Sequence, residues 1–122
     1  MTDQAPRIEF GAGSRTVRRG TVLDGIVRMS RDHLEGATLT IGWETEGKGT
    51  QDSAEVARLK LDRLEVCPDS SGWQKVAFSV RIPVWPVTYH GVAVKIHWRV
   101  KLHVPAHGWV GRTYTEEFQV VL

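Results

Sequence analysis

The chain predicts an all-β fold, an antiparallel sandwich of about seven or eight strands, and three observations carry that prediction. Over thirteen residues Val92, Val94, Ile96, Trp98, Val100, Leu102 and Val104 alternate with Ala93, Lys95, His97, Arg99, Lys101 and His103 without a break. A period of two places each set on its own face of a strand. At about 3.3 Å per residue that strand runs roughly 40 Å, and a second sheet is needed to cover its dry face. Shorter alternating runs separated by turn residues fill the rest of the chain, and no stretch reads convincingly as helix.

Taken in order, residues 1–6 are expected to form a short flexible tail ahead of a single domain spanning 7–122. Arg7–Phe10 is a brief strand ended by Gly11-Ala12-Gly13-Ser14. Val22–Met29 follows, with Leu23, Gly25, Val27 and Met29 on one side and Asp24 and Arg28 on the other. After Gly36, Ala37–Trp43 alternates apolar with small or polar residues, and Glu44–Asp52, which holds Gly47 and Gly49, reads as a mobile turn. Between Ser53 and Cys67 two readings compete. Ala54, Ala57, Leu61 and Leu64 stand at helical spacing among good helix formers. The pairs Leu59/Leu61 and Leu64/Val66 also suit a strand with a bulge between them, and the alternation elsewhere favours strand. Pro68–Gly72 is a turn. Val76, Phe78, Val80 and Ile82 make a one-sided strand, and Pro83-Val84-Trp85-Pro86 breaks the pairing because proline cannot donate to a ladder. Pro105–Gly108 turns the long strand into a last one, Arg112–Leu122, with Phe118, Val120 and Leu122 on one face.

Bulk properties narrow the function classes. With 41% hydrophobic and 25% charged residues, the composition is that of an ordinary globular domain. A formal charge of +2 without clustered Lys and Arg argues against nucleic acid. The long apolar stretches alternate, so no transmembrane helix is expected. The opening Met1-Thr2-Asp3-Gln4-Ala5-Pro6 lacks the basic and apolar regions of a secretory signal. Cys67 stands alone, which fits a reducing compartment, and a cytoplasmic location is expected. Arg outnumbers Lys and Asn is absent, a hint of a GC-rich bacterial genome.

The candidate chemistry is sparse. Gly42–Gly49 approaches a phosphate loop, but Gly49 stands where a magnesium-binding hydroxyl belongs and Glu44 and Glu46 would repel phosphate. Gly11–Thr16 lacks the third glycine of a dinucleotide fingerprint. His97 and His103 share a strand face but stand roughly 20 Å apart, too far to chelate one ion, and His90 and His107 fall in expected loops, so no metal or other cofactor is expected. A lone Cys67 beside Pro68 and the lack of a nucleophile-elbow serine give no reason to expect an enzyme.

Two features are left for binding. The row Lys95, His97, Arg99, Lys101 and His103 is either a solvated face balanced by acids such as Glu117 on neighbouring strands or a docking face for an acidic partner, a phosphorylated peptide or anionic lipid. The chain has five tryptophans. Trp43 and Trp98 are expected in the core, whereas Trp73, Trp85 and Trp109 lie beside turns, where they either plug the ends of the sandwich or form an interface.

Two segments resemble arrestins. Gly20-Thr21-Val22-Leu23-Asp24-Gly25-Ile26-Val27 is similar to the early arrestin pattern of a Gly turn leading into a strand that reads apolar, any, Gly, any, Val. Phe78–Pro83, Pro86–Gly91 and Lys95–Val100 together resemble the later run, in which a strand ends at proline, a Pro-x-Ser/Thr-aromatic-x-Gly turn follows, and a long strand carries an aromatic. The resemblance, which extends to the bacterial sporulation-control relatives of arrestins, covers most of residues 18–104. It implies an immunoglobulin-like sandwich of the arrestin type that scaffolds or recognises protein partners without catalysis. Those relatives usually carry two lobes, so a single lobe is expected to form a homodimer or to pair with a second β-sandwich subunit. The expected function is a protein-interaction module contacting its partner through Lys95, His97, Arg99, Lys101 and His103 and through the Trp85–Gly91 connection, Trp85 and Tyr89 included. The alternative is a small-ligand or carbohydrate-binding module that uses the loop tryptophans.

Overall fold

Burial of alternate residues on the long strand organises the molecule. The computed structural model describes residues 5–49, 51–106 and 109–122. Ten strands appear in chain order: β1 (Arg7–Phe10), β2 (Thr16–Arg18), β3 (Val22–Met29), β4 (Thr38–Gly47), β5 (Ser53–Lys60), β6 (Val66–Pro68), β7 (Gln74–Arg81), β8 (Tyr89–His90), β9 (Val94–Ala106) and β10 (Trp109–Val121). They form two sheets, one ordered β1-β3-β7-β6 and the other β2-β10-β9-β4-β5 with β8 added beside β9. One core cluster joins them, with Val27, Met29, Val76 and Phe78 from the first sheet meeting Leu39, Ile41, Trp98, Val100, Leu102 and Phe118 from the second. The fold is an all-β sandwich.

Trp98 is the largest of the fully buried side chains. Its indole N–H donates to the Pro86 carbonyl at 3.0 Å, so the one polar atom of the ring is satisfied. Phe118, its register partner on β10, lies 5.8 Å away between ring centroids, and Phe10 of the opposite sheet lies 5.9 Å beyond Phe118. The Arg15 guanidinium sits 5.4 Å over Phe10 and also binds Glu116 at 2.6 Å, closing the edge of the sandwich at that point. On β3, Gly25 stands under the Phe78 ring, where any Cβ would overlap it; the missing side chain is what lets the two strands and β1 approach.

Several expectations are corrected. Among the described residues the strands number ten because three segments of two or three residues (β2, β6 and β8) pair with longer neighbours. One pair, β2 with β10, is parallel. The long strand starts at Val94, not Val92: Gly91 N–H donates to the Val94 carbonyl at 3.0 Å, which makes Val92 and Ala93 the tip of a β8–β9 hairpin and leaves Val92 fully exposed. Residues 53–67 are strand, turn and strand, with a 3-10 turn over Leu61–Arg63 carrying the chain from the second sheet to the first. A four-residue helix, Arg31–Leu34, also appears. Trp43 and Trp73 are half-buried, and Leu122 lies beyond β10, exposed. Of the expected tail, residues 1–4 lie outside the described residues, while Pro6 is buried. His107 and the side chain of Trp109 also lie outside them. The Pro68–Gly72 turn forms as expected, with the Asp69 carboxylate accepting from the Ser71 N–H at 2.8 Å and the Trp73 N–H at 3.1 Å.

Trp98→Ala removes the largest fully buried side chain and leaves a cavity. Urea unfolding is expected to show a loss of about 3–5 kcal/mol; a midpoint close to that of the unmodified chain would contradict this placement.

Candidate functional site

The outward residues of β9 meet acids, and those acids come from both neighbours. In register, β4 sets Thr40, Gly42, Glu44 and Glu46 beside Lys101, Arg99, His97 and Lys95, while β10 sets Glu117 beside Arg99. Facing partners in a ladder share a face, so three acids lie among the five basic residues. Arg99 binds the Glu44 carboxylate, and Lys101 lies 3.8 Å from the same group.

His97 sits at the centre of this lattice and is only 8% exposed. Its cover comes from flanking side chains on the outer face, not from a second layer. As the imidazolium it donates Nδ1–H to Glu117 at 2.8 Å and Nε2–H to Glu46 at 2.7 Å, tying β9 to both neighbours. The His90 ring meets it edge-on at 5.8 Å. The Glu117 hydrogen bond raises the imidazole above its ordinary value, desolvation opposes this, and Glu46 adds to the rise.

The sequence-predicted site residues therefore divide. Lys95 and His103 are exposed, Arg99 and Lys101 are half-buried in ion pairs with Glu44, and His97 is covered. Within the row His97, Arg99 and Lys101 are paired with Glu44, Glu46 and Glu117, while Lys95 and His103 face outward. What the sequence reading missed are Glu44 and Glu46, placed there in a mobile turn; β4 in fact continues to Gly47. The signal was present, because Thr38, Thr40, Gly42, Glu44 and Glu46 keep the period of two. A bulge between Ile41 and Gly42 interrupts the pairing with β5, and a shallow hollow of about 170 Å³ opens there, bordered by Gly42, Glu44, Glu55, Arg99 and Lys101. Its walls carry both signs of charge.

The connection from Pro83 to Ala93 has a different character. Val84, Trp85, Tyr89 and Val92 are exposed, Trp85 to 68% and Tyr89 to 55%. Their backbone is nevertheless anchored. The Trp85–Pro86 bond is cis and Pro86 is buried, with its carbonyl held by Trp98. Thr88 donates to the Val120 carbonyl at 2.9 Å and its Oγ accepts the Val120 N–H at 2.8 Å. Gly20 donates to the Pro83 carbonyl at 3.3 Å, drawing Val84 and Gly20 together at the same end of the sandwich.

Among the described residues no group of three or more His, Cys, Asp or Glu is arranged to hold a metal ion. Cys67 is exposed on β6, in the sheet opposite the one that carries His90, His97 and His103. No described helix is long and apolar enough to cross a membrane. No protein-family model matches the chain, and no curated protein matches it.

Because the folded His97 binds its proton more tightly than the unfolded chain does, its contribution to stability is complete below the usual imidazole value near pH 6.5 and is lost as pH rises through the higher folded value. The groups facing it are Glu46 and Glu44 from β4, Glu117 from β10 and His90 from β8. The melting temperature is expected to fall across that window, and His97→Gln, which cannot be charged, is expected to flatten the fall. An equal decline in both proteins would show that another group titrates.

Proposed function

We propose that the chain is an arrestin-like, non-enzymatic protein-interaction module working in the cytoplasm, and that its partner is contacted by the Val84–Val92 connection. The observation that carries this reading is the pair of exposed aromatics, Trp85 and Tyr89, on a backbone tied down by Pro86 and Thr88. Exposed aromatic area on a preorganised segment loses little conformational entropy on binding, and such anchors commonly dominate interface energy. The charge balance around His97 and Arg99 moves the proposed contact from the sheet face to this end of the sandwich, with exposed Lys95, the register partner of His90, at its border. A free, exposed Cys67 supports a reducing compartment.

The test is co-purification from the native host with the unmodified chain and with Trp85→Ala/Tyr89→Ala, followed by mass spectrometry. The double variant is expected to lose the bound partner while its stability changes by no more than about 0.5 kcal/mol, as for surface positions generally. An unchanged partner set would contradict the contact. Quenching of tryptophan fluorescence by oligosaccharides, abolished by Trp85→Ala, would favour a carbohydrate-binding module instead.

A further inference from the structure

The second sheet ends on β5, which among the described residues is hydrogen-bonded on one side only, to β4. The unpaired N–H and C=O groups of an edge strand invite another strand, and edges are commonly blunted by shortness or by proline. Here β1 has four residues, β2 three, and β6 three with Pro68 at its end. The outer margin of β10 is partly covered by β2 and by Arg15, which donates to the Glu117 carbonyl at 3.2 Å. By contrast β5 has eight residues, Ser53–Lys60, and no proline; its bulge and the charges of Glu55 and Arg58 protect an edge against strands that do not match them, and a second copy of β5 does match them.

Its sequence is complementary to itself in the antiparallel sense. Turned about a two-fold axis between Val56 and Ala57, Ser53 faces Lys60, Ala54 faces Leu59, Glu55 faces Arg58 and Val56 faces Ala57. The bulge preserves this match. Because the register with β4 shifts between Ile41 and Gly42, Glu55 pairs with Gly42 and Arg58 with Thr40, so both charges stand on the outer face although three positions separate them. They bind each other in two contacts, at 2.7 and 2.9 Å. Ala54, Ala57 and Leu59 pair with Trp43, Ile41 and Leu39 on the inner face. Three of the four facing pairs therefore join residues of the same face by register, and in the fourth Val56, the bulged residue without a partner on β4, packs against the core as Ala57 does. Val56, Ala57 and Leu59 are half-buried against the core, and a further strand would complete their cover.

We infer that a second copy of this chain pairs with the first along β5, antiparallel and two-fold symmetric, with Glu55 and Arg58 of each copy exchanging their in-chain partner for the other copy's. The two second sheets become one continuous sheet. Such an isologous contact closes on itself and uses up both free edges. It involves none of the residues assigned to the partner contact above, so either proposal can fail alone.

Light scattering on the purified chain across a dilution series tests this. At high concentration the mass is expected to be about twice the 13.7 kDa of one chain, falling to the single value on dilution. Glu55→Arg leaves two basic residues and Arg58→Glu two acidic residues at the facing 55 and 58 positions, so each variant alone is expected to stay at the single mass. An equimolar mixture of the two is expected to recover the double mass. A single mass for the unmodified chain at every concentration overturns the inference, as does a double mass that survives in both variants or a mixture that stays single. Should either variant fail to fold, amide exchange on the unmodified chain decides. Protection of Ala54–Leu59 is expected to rise with concentration while β1 and β6 stay constant, and concentration-independent exchange at β5 overturns the proposal.

Discussion

Everything in this molecule is placed by the burial of Trp98 with its indole N–H satisfied. The ring lies in the first half of β9, packs against Phe118 on the neighbouring strand, and through Phe118 reaches Phe10 on the other sheet. Its hydrogen bond to Pro86 fixes the connection that leaves the sandwich between β7 and β8. A buried donor left without a partner costs about 1–3 kcal/mol, so the position of Pro86 follows from the position of Trp98. Core packing at one end of β9 and the exposure of Trp85 and Tyr89 at the end of the sandwich are thus two consequences of one contact.

The two faces of β9 do different work. Inward, Trp98, Val100 and Leu102 are fully buried, and each large apolar side chain contributes roughly 1.5–3 kcal/mol on burial. Outward, the ion pairs of Arg99 and Lys101 with Glu44 are partly solvated, and such pairs contribute about 0–1 kcal/mol each. The inner face therefore sets stability. The outer face ties β4 and β10 to β9 through these side-chain pairs. With one imidazolium spanning Glu46 and Glu117, three adjacent strands are aligned by a single side chain.

How much of this was legible follows the same division. Burial imposes a period of two, so the inward sets of β3, β7 and β9 stood out along the chain. The acids on β4 did not, because Gly47 and Gly49 resemble a turn and charged residues beside glycine look solvated; only their alternation with Trp43 and Thr45 marks a strand. The balance of the basic row was half legible, since Glu117 could be named as an opposing acid while its geometry could not. Val92 misled because apolar character continues the pattern past the point where the backbone turns. The parallel β2 was not legible: three residues carry too little pattern, and their pairing depends on where β10 ends. The tryptophans were legible as composition, but exposure of Trp85 against half-burial of Trp43 and Trp73 is decided by tertiary packing. The prolines before β8 were legible as a break in pairing, but the anchoring of that connection to Trp98 and Val120 is set by tertiary packing.

Hydrogen exchange at the tryptophan indoles, followed residue by residue by NMR, tests the central claim most directly. The account predicts that the Trp98 indole N–H exchanges only through global unfolding, at a rate matching the slowest backbone amides of β9, while that of Trp85 exchanges freely. A Trp98 indole that exchanges as fast as Trp85 would contradict it.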